Sequence, residues 1–195
     1  MQKVFKITKD IIIIIFCITI SYFVLNNNYV RPHIMATGDA SNWHIYKKEH
    51  KILMGISGHT FLELSNSKNE TVEQIHGFAY DVSNSEIVEA AIKSGFKLKV
   101  FAFNYDFYRN EIGLDFPAIN LMSDSKENVI ETWNKAKACG EIINQKDINY
   151  PRYGFKIITE TENSNSVAHS ISLCAGLADT QIGLLSPGAR TLLLK

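Results

Sequence analysis

Gly58-His59-Thr60-Phe61-Leu62-Glu63-Leu64 and Val72-Glu73-Gln74-Ile75-His76-Gly77 decide how this chain folds. Both read as strands. In the first, His59, Phe61 and Glu63 alternate with Thr60, Leu62 and Leu64, the period of two expected of a half-buried strand. Between the two runs, Ser65-Asn66-Ser67-Lys68-Asn69-Glu70 is polar throughout and suits a hairpin loop. Pairing Leu64 with Thr71 then carries His59 opposite His76 on one face, with Cβ atoms about 5 Å apart. Two imidazoles so placed can act as a base and the partner that orients it. The competing reading is two unrelated histidines, separated by a one-residue bulge.

The chain around this hairpin has 195 residues, enough for one domain and an appendage. Lys+Arg and Asp+Glu balance at 20 each, so no basic excess calls for nucleic acid. Three cysteines are too few for a disulfide framework. Cys139 and Cys174 sit in helical patterns and bridge only if the fold brings them together; otherwise they are small buried apolar residues.

At the N-terminus, Lys3, Lys6 and Lys9 precede an uncharged run of fifteen residues from Ile11 to Leu25. It is short against the roughly 20 residues of a spanning helix, though the uncharged residues 26–30 extend it. No small-x-small cleavage site follows, which favours an uncleaved signal anchor over a signal peptide. The lysines place its N-terminus in the cytoplasm and the body across the membrane, in the periplasm if the cell is Gram-negative. The expected division is an anchor at 1–27, a tether at 28–41 and a folded body at 42–195.

Within the body, a strand is expected between Trp43 and Met54, and a strong one over 96–105, where alternation passes into aromatics. Asn84-Ser85-Glu86 reads as the opening of a short helix, and 113–122 as irregular. Asp106 reads as a solvated strand terminus. Asp124-Ser125-Lys126-Glu127 starts the best helix, whose apolar residues from Val129 to Ile143 should pack on the sheet.

A second stretch with chemical content is Asn163-Ser164-Asn165-Ser166-Val167. Asn163 is a good N-cap, and Gly176 a plausible helix stop. Ser164 then falls in the first turn, where unpaired N–H groups and the helix dipole favour negative charge on a nucleophile or oxyanion. The alternative is that Asn163, Ser164, Asn165 and Ser166 form only a capping cluster.

The order of these pieces resembles circularly permuted papain-like enzymes. This is the permuted branch of the NlpC-type peptidases that includes the lecithin–retinol acyltransferase relatives. That layout has a His on a strand, a polar residue on the partner strand, and Asn-Cys-x-x-Phe opening a late helix. The resemblance covers residues 58–176. It implies an α+β fold with an antiparallel sheet packed against helices, here preceded by one transmembrane helix. It also implies His59 as base, His76 as its orienter and Ser164 at the nucleophile position. Val167 stands where the pattern has Phe, and Ser164 where it has Cys. Serine depends on its base far more than a thiol does.

Two function classes follow. One is a membrane-anchored hydrolase-like domain cleaving an amide or ester of a cell-wall peptide or lipid through Ser164, His59 and His76. Asn165 and Ser166 at the helix start, capped by Asn163, would then supply oxyanion donors. The other is a catalytically inactive binding or immunity-type module that grips a peptide or protein partner at the membrane. No cofactor or metal is expected, because a zinc site of His59, His76 and His169 lacks compact ligand spacing.

Overall fold

The computed structural model describes residues 41–52, 57–88, 93–108, 117–154, 156, 160–179, 182 and 187–194. The apolar N-terminal segment and nearly all of the tether lie outside them. Among the described residues, no helix is long and apolar enough to cross a membrane.

The body is α+β. Its six strands are β1 (Trp43–Ile52), β2 (Ser57–Ser65), β3 (Thr71–Asp81), β4 (Glu86–Val88), β5 (Lys97–Phe103) and β6 (Ala118–Asp124). Two longer helices follow, α1 (Lys126–Asn144) and α2 (Ser164–Cys174). All the strand pairings are antiparallel, in the order β4-β3-β2-β1-β6, with β5 on β3. β5 pairs along Gln74–Tyr80, overlapping the residues that β2 and β4 also pair. A strand has two edges, so β2 and β4 share one edge of β3 and β5 holds the other.

The outer side of β5 is covered at Leu98 and Val100. Leu98 N–H donates to Ile148 O at 2.8 Å, and Tyr150 N–H to Phe96 O at 2.9 Å. The Asn144 side chain takes the place of a strand, accepting from Val100 N–H at 2.7 Å and donating to Val100 O at 3.0 Å.

Both helices lie on one side of the sheet. Ile45, Leu62, Leu64, Ile75, Leu98 and Val100 point at Val129, Trp133, Ala136 and Ile143 of α1 and Val167 and Ile171 of α2, forming the core. In α1 the buried positions recur every three or four residues, the stripe a helix needs to cover a sheet. Val167 lies directly over Gly77, where only a missing side chain leaves room. Gly176, with φ +79°, ends α2 in the left-handed conformation. Leu177 N–H then reaches back to Ser172 O at 2.9 Å.

Four expectations are corrected. In the hairpin, Leu64 faces Glu73, not Thr71. Strand β2 runs one residue further, to pair Ser65 with Thr71, and a bulge leaves Val72 as an extra residue on β3. Each step alone would turn His76 to the other face; together they cancel, and His59 and His76 stay on the same face as diagonal neighbours. Near Asn84, Asp81 accepts from the Ser83 and Asn84 backbone N–H groups and Ser85 takes φ 56°, so a turn leads into β4 rather than a helix. Within 113–122, residues 118–122 belong to β6, an edge strand on β1. Finally, Cys139 and Cys174 form a disulfide that ties α1 to α2, with Cα atoms 6.2 Å apart.

Candidate functional site

The pleat sorts the polar residues of the sheet onto two faces. On the side away from the helices stand His44, Tyr46, Lys48 and His50 of β1, His59, Phe61 and Glu63 of β2, and Gln74, His76 and Phe78 of β3. Four of the six histidines of the chain share this face. His50 is the direct cross-strand partner of His59, and His59 Nε2 lies 3.0 Å from His76 Nδ1. The three rings thus form a row across three adjacent strands.

The proton positions in this row follow from its far end. Lys48 Nζ is 2.6 Å from Glu63 Oε1, holding a buried carboxylate. Gln74 Nε2 donates to Glu63 Oε2 at 2.8 Å and to Asp106 Oδ1 at 3.3 Å. The amide is therefore oriented with Oε1 toward His76 Nε2, at 3.1 Å, and toward Phe107 N–H, at 2.9 Å. Oε1 can only accept, so His76 carries its proton on Nε2 and presents a lone pair at Nδ1. His59 must then donate from Nε2, leaving its own lone pair on Nδ1. Every donor in the relay has one direction.

Aromatic rings enclose the pair. Phe61 stacks on His76 at 4.5 Å between centroids, and Phe78 on His59 at 4.9 Å. Residues 106–108 form a strap over them: Phe107 packs on His76, and Tyr108 stacks on His50 at 4.2 Å. Asp106, expected at a solvated strand end, belongs to this strap and also accepts from Tyr108 N–H at 3.0 Å. Burial, reinforced by His50, lowers the His59 pKa to about 3. The pKa of His76 is also held well below its ordinary value by burial, with His59 and His50 adding to the effect. Both rings are neutral near pH 7, and each is tied into the aromatic cluster.

Ser164 lies on the other side of the sheet. Its helix packs through Val167 on Gly77, whereas His76 and Phe78, the neighbours of Gly77 along β3, point the opposite way. Ser164 lies beside the phenol of Tyr150, a side chain packed against the core. Burial raises the Tyr150 pKa, and the contacts from Ser164 oppose that rise. The sheet therefore separates Ser164 from His59 and His76, contrary to the expected catalytic grouping.

The remaining residues of the helix start are structural. Asn163 Oδ1 accepts from Asn165 N–H at 3.0 Å and Ser166 N–H at 3.2 Å. Ser166 Oγ accepts from Asn163 N–H at 2.7 Å, completing a capping box. Val167 N–H bonds to Asn163 O. The cap thus occupies the N–H groups of Asn165, Ser166 and Val167, those that an oxyanion hole at this helix start would draw on. The Asn165 side chain accepts from Thr60 N–H at 2.9 Å, where β2 has run past its last ladder pair with β3, Leu62–Ile75.

His169 stands apart from the histidine row. Its Nδ1 is 2.7 Å from Asp179 Oδ2, and Asp179 Oδ1 is 2.5 Å from Lys47 Nζ. Lys47 is 2% exposed. This partly buried triad was not legible in the sequence, although Lys47-Lys48 carried the signal. In a strand, one of two adjacent lysines must face the core. The roles of Gln74 and Glu63 were equally hidden, because relay geometry depends on register.

No family model, curated protein or solved structure matches the chain.

Proposed function

We propose that this chain is a catalytically silent binding module, held at the membrane by its N-terminal segment, with its body outside the cytoplasm. The observation that carries the reading is the separation of Ser164 from His59 and His76 by the sheet. A general base must come within hydrogen-bonding reach of the proton it removes, directly or through one water. A papain-like reading of the fold meets the same obstacle, since its nucleophile and base must share one cleft. The capped N–H groups of Asn165 and Ser166 add to this, because a transition-state oxyanion held by them would have to displace the Asn163 side chain.

Two features support the location. The lysines before the apolar segment favour a cytoplasmic N-terminus, and a disulfide between Cys139 and Cys174 suits an oxidising compartment. The partner is a protein or peptide rather than nucleic acid, given the even charge balance.

The test is treatment of the full-length protein in membranes with a serine-reactive acyl probe, beside an active serine hydrolase as control. The expected result is no labelling of Ser164. Labelling abolished by both Ser164→Ala and His59→Ala would overturn the binding reading and restore the hydrolase.

A further inference from the structure

We propose that the row His50–His59–His76 is an acid-operated latch holding the strap of residues 106–108 over the aromatic face of the sheet. The inference goes beyond the binding reading and does not depend on it. Three observations converge on one place.

First, the strap and the histidines share an acceptor. Gln74 Oε1 takes both the His76 Nε2–H bond and the Phe107 N–H bond. Any movement of His76 away from Gln74 disturbs the atom that fixes the strap backbone. Second, the strap rests on the rings themselves, Tyr108 on His50 at 4.2 Å and Phe107 on His76 at 5.3 Å. Third, the pair has room for one proton but not two. A proton on His59 Nδ1 leaves the Nε2–H bond to His76 intact. A second, on His76 Nδ1, puts two N–H groups face to face at a distance of 3.0 Å.

The charges around the row do not neutralise that second proton. From β1, His50 adds a further titratable ring, and Lys48 is paired with Glu63. Tyr46 presents a phenol whose pKa is raised by burial and by Glu63. Glu63 is occupied by Lys48, Ser65 and Gln74. From β5, Lys97 and Lys99 turn to Asp147 and to Asn144 O. The strap contributes one carboxylate, Asp106, which bonds to Gln74 and to Tyr108 N–H. Protonation therefore gathers positive charge beneath the strap, and relief comes by admitting water where Phe107 and Tyr108 now sit. The face uncovered is rich in phenylalanine: Phe61, Phe78 and Phe103.

Hydrogen exchange on the full-length chain in detergent micelles, followed from pH 7.5 to pH 4 and corrected for intrinsic rates, tests the latch. Exchange in a peptide covering 104–108 should accelerate about tenfold or more as the pH falls below 6.5, while α1 keeps its protection. The double variant His59→Gln/His76→Gln should lose this acceleration, and His76→Gln alone, which removes the site of the second proton, should reduce it. A strap that stays protected down to pH 4 overturns the proposal. So does simultaneous loss of protection in the strap and α1, which is acid unfolding. Should the double variant fail to fold, an undiminished acceleration in His76→Gln overturns it instead.

Discussion

Val167 of α2 occupies the space that a side chain on Gly77 would need: a Cβ there would come within 2.6 Å of Val167 Cγ2 and 2.8 Å of Val167 Cβ. Neither atom is the free end of a flexible chain. Gly77→Ala must push α2 away from β3, and the expected cost is about 1–3 kcal/mol. Urea melts of the variant should show an earlier midpoint. The double variant Gly77→Ala/Val167→Ala should recover part of the loss, because the clash is removed at the expense of some burial. A single variant with the wild-type midpoint would mean that the helix does not sit so close.

The disulfide closes a loop with a sequence separation of 35. On the chain-entropy model, its loss should destabilise the body by about 3–4 kcal/mol. Cys139→Ser/Cys174→Ser should therefore melt well below the wild type. Alkylation of the unreduced, denatured protein should modify Cys17 alone, and all three cysteines after reduction. Modification of all three without reduction would remove the bridge and, with it, one support for the location of the body.

Stability should fall in acid for a definite reason. His59 titrates near pH 3 in the folded state against 6.5 for an unperturbed side chain, and His76 is shifted in the same direction. The unfolded chain therefore binds protons that the folded chain refuses. The stabilisation from His59 is fully present above about pH 6.5 and is lost progressively as the pH falls from there toward 3, and that from His76 is lost in the same direction. Urea melts between pH 7.5 and pH 4.5 measure that slope. His59→Gln/His76→Gln should flatten it, and an equal slope in both proteins would assign the acid sensitivity to other groups.

Lys47 and Asp179 differ in what each leaves behind. Asp179→Asn strands the lysine charge at a site 2% exposed, and removal of one partner of a buried pair costs about 3–5 kcal/mol. Lys47→Met leaves Asp179 with His169 Nδ1 still 2.7 Å away, so its cost should be smaller. Thermal melts of the two variants at pH 7 compare them directly. The reverse order would show that Asp179, not Lys47, is the charge the site was built to hold.

His44 offers a case in the opposite direction. Its Nδ1 is buried without a hydrogen-bond partner among the described residues, and burial lowers its pKa. An unsatisfied buried polar atom costs about 1–3 kcal/mol. His44→Leu, which removes that atom at similar volume, should be neutral or stabilising in a thermal melt; a clear fall in the midpoint would point to a partner for Nδ1.

Much of the secondary structure was legible because its signals are local. The Asn163 cap, the Gly176 stop and the apolar stripe from Val129 to Ile143 each lie within a few turns of chain. Register was not, because it depended on two one-residue departures, at Ser65 and Val72, that no pattern announces. The decisive miss was which face of β2 receives the helices. Phe61 and Leu62 are both buried, so alternation separates the two faces without saying which one meets α2. A catalytic pairing of His59 with Ser164 requires both on one side of the sheet, and the alternation of β2 leaves that side unspecified. The β4 turn was missed because Asn84-Ser85-Glu86 has the residue types of a helix cap, while Asp81 and the left-handed Ser85 use them to reverse the chain.

The treatment of the outer side of β5 bears on how molecules can join. Exposed strand edges invite pairing between chains. An open edge at each end of a sheet allows copies to add indefinitely into a ribbon. Here Asn144 and residues 148–150 occupy the groups that β5 would otherwise offer at Leu98 and Val100. A second copy cannot pair with this stretch of β5 without first displacing the Asn144 side chain and residues 148–150.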